Sequence, residues 1–255
     1  MRILFIGVGE ACDENYPNTS ILLMAPNDNG HDKTLLLDCG FSAVHAFWKY
    51  VSDPELLDLV WISHFHGDHF MGLPLLFLRM WEMGRNKPLV IVGQRGLKDV
   101  VERAMELAYP GFMNRFRFEL TFYEVEPGEE KSICGFRWNF AETEHSRCNL
   151  SVAIETPHGK VFYSGDGKPT NESATLASGA TLMIHEAFHV MPKVPGHGTV
   201  SGVISIAKDF EIENIALVHV QRDVRRWKQL QIRKMLDKSG INAWLPQPGD
   251  TLEFD

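Results

Sequence analysis

The chain has 255 residues, of which 44% are hydrophobic and 23% charged, with a net charge of −8. This is the composition of a soluble globular protein long enough to build one substantial core. The acid excess argues against a surface that grips nucleic acid throughout, because phosphate binding is dominated by Lys and Arg. No apolar run approaches the roughly 18 residues of a membrane helix. The four cysteines (Cys12, Cys39, Cys134, Cys148) show no C-x-x-C spacing, so neither a zinc ribbon nor a disulfide framework is expected, and reduced thiols in a cytoplasmic protein fit better.

Met1–Gly9 is apolar but too short for a signal segment, and it runs directly into Glu10 and Asp13, so it reads as a first strand. Strand-like runs follow in order at Ile3–Gly7, Ile21–Ala25, Thr34–Asp38, Leu57–Ser63 and Leu89–Val92. Later come Phe118–Val125, Phe136–Glu142, Leu150–Glu155, Lys160–Ser164, Thr181–His185 and Ile215–His219. Several are continuous apolar runs without alternation, the pattern of strands covered on both faces. Helical periodicity marks Gly96–Ala108, Val200–Phe210 with Thr199 as N-cap, and Val224–Ser239 closed by Gly240. Pro246-Gln247-Pro248-Gly249-Asp250 is a turn before a short closing strand. No linker or low-complexity stretch divides the chain, so residues 1–255 are expected to form one α/β domain, two packed sheets with helices outside.

The chemistry is concentrated at His64-Phe65-His66-Gly67-Asp68-His69, delivered by the apolar strand Asp58–Ser63. On extended chain His64 and His66 project the same way, Gly67 permits a sharp turn, and Asp68 with His69 can then face a second point nearby. So much polarity at the end of a buried strand needs a reason, and metal ligation supplies one. His145, Asp166 and His219 each follow a strand end, where loop-built sites belong. A carboxylate has two oxygens, so Asp166 is the natural bridge. The expected partition is His64, His66, His145 and Asp166 around one metal, and Asp68, His69, Asp166 and His219 around the other. Imidazole mixed with carboxylate suits two zinc ions, with manganese or iron as alternatives.

His64-x-His66-x-Asp68-His69, His145, Asp166 within Ser-Gly-Asp, and His219 resemble, in order, the metal motifs of the metallo-β-lactamase superfamily. The ribonuclease Z branch is the nearer likeness. Phe5-Ile6-Gly7-Val8-Gly9 with Asn18-Thr19-Ser20 resembles its opening, and Leu37-Asp38-Cys39-Gly40 its next strand. His185-Glu186-Ala187 is similar to its His-Glu-Ala-Thr box, and His197-Gly198-Thr199 to its His-Ser-Thr box. The resemblance implies a four-layer αβ/βα sandwich, two zinc ions and phosphodiester hydrolysis. Three departures bear on substrate. Phe41 stands where tRNA-processing enzymes usually carry Glu, and Phe188 replaces the Thr of the His-Glu-Ala-Thr box. Only about twenty residues separate His145 from Asp166, enough for two strands and a hairpin turn but not for the long tRNA-gripping arm of ribonuclease Z.

The function expected is therefore a binuclear zinc hydrolase, a phosphodiesterase acting through a metal-bridging hydroxide. Asp68 is a candidate proton acceptor as well as a ligand. His197, oriented by Glu186, is the candidate acid for the leaving group. A small phosphodiester or ester is the expected substrate, nucleic acid is less favoured, no membrane is involved, and a homodimer is left open. The rivals are a tRNA 3′-processing endonuclease, a lactone or ester hydrolase, a di-iron oxidoreductase and a non-catalytic metal-binding module. His66 speaks against the oxidoreductase, whose relatives usually carry Glu there. Arg222, Arg225, Arg226, Lys228, Arg233 and Lys234 read as a solvated helix face, with Arg222 or Arg225 as candidates to reach the mouth and hold a phosphate. His185 is expected to be structural, His31, His45, His158 and His189 to lie at the surface or in packing, and Phe77, Trp81, Phe112, Phe116 and Phe122 to pack the core.

Overall fold

The structure is a computed structural model that describes residues 1–192 and 194–255. Among these, the strands in chain order are β1 (Arg2–Gly7), β2 (Ser20–Pro26), β3 (Asp32–Leu37), β4 (Leu59–Ile62), β5 (Leu89–Gln94), β6 (Leu120–Val125), β7 (Glu130–Ile133), β8 (Phe136–Glu142), β9 (Leu150–Thr156), β10 (Gly159–Tyr163), β11 (Leu182–Glu186), β12 (Asn214–Val218), β13 (Asn242–Trp244) and β14 (Thr251–Glu253). The α-helices are α1 (Ala43–Tyr50), α2 (Gly67–Phe70), α3 (Leu73–Glu82), α4 (Leu97–Ala108), α5 (Asn171–Ala177), α6 (Val200–Asp209) and α7 (Arg222–Asp237).

Two seven-stranded sheets result, with orders β14-β1-β2-β3-β4-β5-β6 and β13-β12-β11-β10-β9-β8-β7. From β3 to β6 the pairing is parallel, as it is from β10 to β13, and the remaining pairs are antiparallel. The continuous apolar strands are explained by their two covered faces. Leu59 and Trp61 of β4 point into the core between the sheets, while Val60 and Ile62 point into a second core under α1, α3 and α4. Likewise Ala216 and Val218 of β12 face the inter-sheet core, and Ile215 and Leu217 face a third core under α6 and α7. Helix, sheet, sheet, helix is the αβ/βα sandwich.

Trp61 anchors the central core, its ring stacked on Phe140 of the opposite sheet at 5.4 Å. Truncating such a buried aromatic side chain costs about 3–5 kcal/mol. The aromatic rings between Phe77 and Phe122 pack in the core under the outer helices, with Trp81 edge-on to Phe112 at 4.7 Å. Thr199 caps α6 by accepting from Gly202 N–H at 3.1 Å. Helix α7 starts two residues before the expected Val224, because the Gln221 side chain accepts from Val224 N–H at 2.8 Å and so closes its first turn. Helices α1, α3 and α5 and strands β7 and β13 were not anticipated. Helix α3 lies in a run so apolar that its buried face, Leu73, Leu76, Phe77 and Met80, has little polar contrast.

Both sheets bring the carboxyl ends of their parallel strands to one edge of the sandwich, where α/β folds place ligands. The loops after β4, β10, β11 and β12 meet there.

Candidate metal centre

Strand β4 gives way to extended chain through His66 (φ −84°, ψ 147°), and the one-turn helix α2 then begins at Gly67. The turn expected at Gly67 is thus a helical entry. Gly67 has no left-handed φ, and a Cβ there would only touch Met71 at 3.4 Å and Phe41 at 3.7 Å, ordinary contact distances. The closest approach falls to Gly40, where a Cβ would lie 1.9 Å from the Asp68 carbonyl oxygen. The Asp38-Cys39-Gly40 segment therefore packs directly on the ligand-bearing turn, and Cys39 N–H donates to His69 O at 2.7 Å.

The structure brings all seven candidate ligands together in two groups that share Asp166: His64, His66, His145 and Asp166, and Asp68, His69, Asp166 and His219. In the first group His66 Nδ1 lies 3.0 Å from His64 Nε2 and 3.2 Å from His145 Nε2. Asp166 Oδ2 lies 3.9 Å from both of those Nε2 atoms. In the second, Asp68 Oδ2 is 3.3 Å from His69 Nε2 and 3.2 Å from His219 Nε2. Asp166 Oδ1 is 3.4 and 3.5 Å from the same two nitrogens. The two oxygens of one carboxylate thus face different groups.

The outer ring nitrogens decide which way the lone pairs point. His145 Nδ1 donates to the Gly196 carbonyl at 2.7 Å, so its Nε2 is a lone pair in the neutral ring. Ser63 donates its hydroxyl proton to Asp38 Oδ2. The 3.1 Å contact of Ser63 Oγ with His64 Nδ1 must therefore be donated by the ring, which again leaves Nε2 bare. His69 Nδ1 bonds to Asp38 Oδ2 at 2.7 Å.

Asp38, fully buried, also accepts from Ser63 N–H at 2.8 Å and from the Tyr163 hydroxyl at 2.6 Å. Asp38 and His219 both sit in the left-handed region, at φ 58° and 52°, a strain that clusters at functional sites. On the other sheet, buried Asn149 accepts from Asp166 N–H at 3.0 Å and donates to Ser164 O and Thr143 Oγ1. Thr143 Oγ1 in turn donates to Asp166 O at 2.6 Å. The shared carboxylate stands on a loop with its backbone polar groups satisfied.

The charge balance fits a metal pair. Burial holds His64 and His66 below the ordinary imidazole range, so these rings are neutral and able to ligate. Burial alone would raise Asp68 and Asp166, but contacts with His219 and His69 outweigh it and keep both ionised. Burial opposes protonation of His69 and His219, yet Asp166 and its neighbours overcome it, pushing His69 well up and His219 to about 9. Among the described residues, His69 Nε2 and Asp166 Oδ1 are buried without a hydrogen-bond partner. Leaving such atoms unmet costs about 1–3 kcal/mol each, and an ion between them removes that cost.

Beside the first group, His197 Nδ1 donates to Glu186 Oε1 at 3.0 Å. Its ring lies 5.0 Å from that of His145 and stacks on Phe188 at 4.4 Å. Burial lowers the His197 pKa, but Glu186 more than reverses this, and the net shift is upward.

The basic stretch divides. Arg225 does not reach the mouth; it is 3% exposed, its guanidinium lies over the Tyr16 ring at 4.5 Å, and it donates to Pro246 O. Helix periodicity turns it inward, one turn from Arg222. Arg222 pairs with Glu10 at 2.7 Å and lines a cavity of about 410 Å³ with Phe188, Gln221, Trp227 and Lys228. His185 is buried and stacks on Phe162, while His31 and His45 are exposed. Sequence reasoning missed Asp38 as the partner of His69, together with Tyr163 and Asn149. Leu37-Asp38-Cys39-Gly40 was in view as a motif, and its Asp at a buried strand end was the available signal.

The sequence model of one protein family, described as "Anti-Pycsar protein Apyc1", matches residues 1–238. The chain belongs to this family. The ribonuclease Z of Methanosarcina acetivorans is 25% identical over 274 residues, covering 86% of this chain and 87% of its own. Human tRNase Z, short form, superposes with a TM-score of 0.78 at 20% identity over 100% of both chains. The metallo-β-lactamase fold protein YhfI of Bacillus subtilis does so with 0.77 at 20% identity over 99% of both. The fold is the metallo-β-lactamase fold, and the chain is ribonuclease Z-like.

Proposed function

We propose that residues 1–255 form one metal-dependent hydrolase domain whose substrates are small phosphodiesters. The observation that carries this reading is the pair of four-ligand groups sharing Asp166 through opposite oxygens. His64, His66, His145 and Asp166 would hold one ion, and Asp68, His69, Asp166 and His219 the other, with zinc favoured by the donor set and manganese or iron as substitutes. When bound, such a pair lowers the pKa of water and stabilises the charge of an in-line displacement.

The chain's own groups account for the rest. Asp68 takes the proton of the attacking water. His197, its pKa raised by the Glu186 carboxylate against the effect of burial, gives a proton to the departing alkoxide. Phe188 stacks on the His197 ring and fixes its plane.

The restriction to small substrates rests on the segment between His145 and Asp166, which is spent on the hairpin of β9 and β10. Phe41 and Met71, 49% and 45% exposed, form an apolar rim beside Gly67. Relatives named ribonuclease Z favour a second reading, tRNA 3′ processing, through the same centre. Among the described residues no helix is long and apolar enough to cross a membrane, and a cytoplasmic location is part of the proposal.

A hydrolysis panel on zinc-loaded protein tests the reading, with phosphodiesters, phosphomonoesters, lactones and thioesters as substrates. Turnover concentrated on phosphodiesters is expected. Turnover confined to lactones or thioesters would overturn it.

A further inference from the structure

Tyr163 ends β10 in the second sheet, and its hydroxyl donates to Asp38 Oδ2 of the first sheet at 2.6 Å, across 125 residues of chain. Both side chains are fully buried. Asp38 receives four donors: Ser63 N–H on Oδ1, and the Ser63 hydroxyl, His69 Nδ1 and Tyr163 hydroxyl on Oδ2. Three of them come from the segment that follows β4, two from Ser63 and one from His69 on α2. Only the tyrosine comes from the other half of the molecule. A carboxylate held on both oxygens cannot rotate, so the His69 ring it accepts from is fixed in plane, with Nε2 toward Asp68 Oδ2 and Asp166 Oδ1.

Tyr163 also precedes Asp166 by three residues, through Ser164 and Gly165. The segment that presents the shared carboxylate is therefore tied, through one hydroxyl, to the residue that aims His69. Among the described residues, the only other hydroxyl donating to the Asp38 carboxylate is that of Ser63, from the same sheet. We propose that Tyr163 is a positioning residue for the second metal ion, holding Asp38, and through it the His69 ring, in place from across the sheets. This rests on the two-ion reading above.

The hydroxyl's effect is separable from its ring. Tyr163→Phe keeps the ring that packs in the inter-sheet core and removes only the donor. Ser63→Ala is the informative companion, because Ser63 Oγ serves Asp38 and also accepts from His64 Nδ1, in the first group. Metal-free wild type, Tyr163→Phe and Ser63→Ala are each titrated calorimetrically with zinc, and thermal unfolding without metal checks that each is folded. Wild type should show two binding events. Tyr163→Phe should keep the first within about twofold and weaken the second by about tenfold or more, the usual cost of losing an outer-shell partner. Ser63→Ala should weaken both. Two events unchanged in Tyr163→Phe, or both weakened alike, would overturn the proposal. Fewer than two events in wild type would remove the two-ion reading itself, and that result would be visible before any substitution is considered.

Discussion

Glu186 accepts a hydrogen bond from His197 Nδ1 at 3.0 Å, and the same oxygen, Oε1, takes the Gly167 N–H at 2.5 Å, one residue beyond Asp166. One buried carboxylate thus places the candidate acid and braces the loop of the shared ligand. His197 itself belongs to neither ligand group. His197→Ala should therefore keep its metals while losing turnover on substrates with poor leaving groups by about 10²–10⁴-fold, the usual contribution of a general acid. An activated nitrophenyl ester, whose leaving group departs unaided, should suffer much less than an alkyl ester. Steady-state rates across a leaving-group series measure this, and a uniform loss or a loss of metal would assign His197 to structure.

Asp166 faces both groups and His145 only one. Elemental analysis after gentle purification and zinc replenishment should find close to two ions in wild type. Asp166→Ala should deplete both sites, whereas His145→Ala should spare the second. Equal losses in the two variants would contradict the partition.

Away from the centre, Asp58 gives a pH prediction. Its burial favours the neutral acid, but the Thr34 N–H and the ammoniums of Lys33 and Lys87 outweigh that, and its pKa lies below the ordinary value. A carboxylate depressed in the folded state contributes stability that is fully present above its unfolded pKa, near 3.8, and is lost as pH falls through the folded value. Asp58→Asn should therefore be less stable than wild type at pH 7, and the gap should close on going below about pH 4. Urea midpoints at pH 7, 5 and 3 check it. A gap that stays constant with pH would mean that the loss is one of packing.

Much of this was legible before the structure. The run from His64 to His69 is legible because ionisable residues at the end of a buried strand demand partners. Asp166 and His219 are legible because each follows an apolar strand. Asp38 was harder: it belongs to neither ligand group and bonds to His69, 31 positions away, a contact that sequence spacing cannot show. Tyr163 reads as one more buried aromatic of β10 until the sheets are stacked and its hydroxyl meets Asp38. Arg225 was misjudged for the opposite reason. Its charge suggests solvent, but its place on α7 turns it under Tyr16, where the ring face and the Pro246 carbonyl receive it.

The restriction to small substrates is tested most directly by the specificity constant of zinc-loaded protein for a small or cyclic phosphodiester, set against that for a precursor tRNA at physiological salt. With β9 and β10 closing the chain between His145 and Asp166 and a net charge of −8, the proposal expects no gain from remote contacts for a large polyanion. The small diester should match or exceed the tRNA in kcat/KM. A value for precursor tRNA higher by about a hundredfold, some 2.7 kcal/mol of extra transition-state binding, would contradict this and give the basic residues from Arg222 to Lys234 the work of the missing arm.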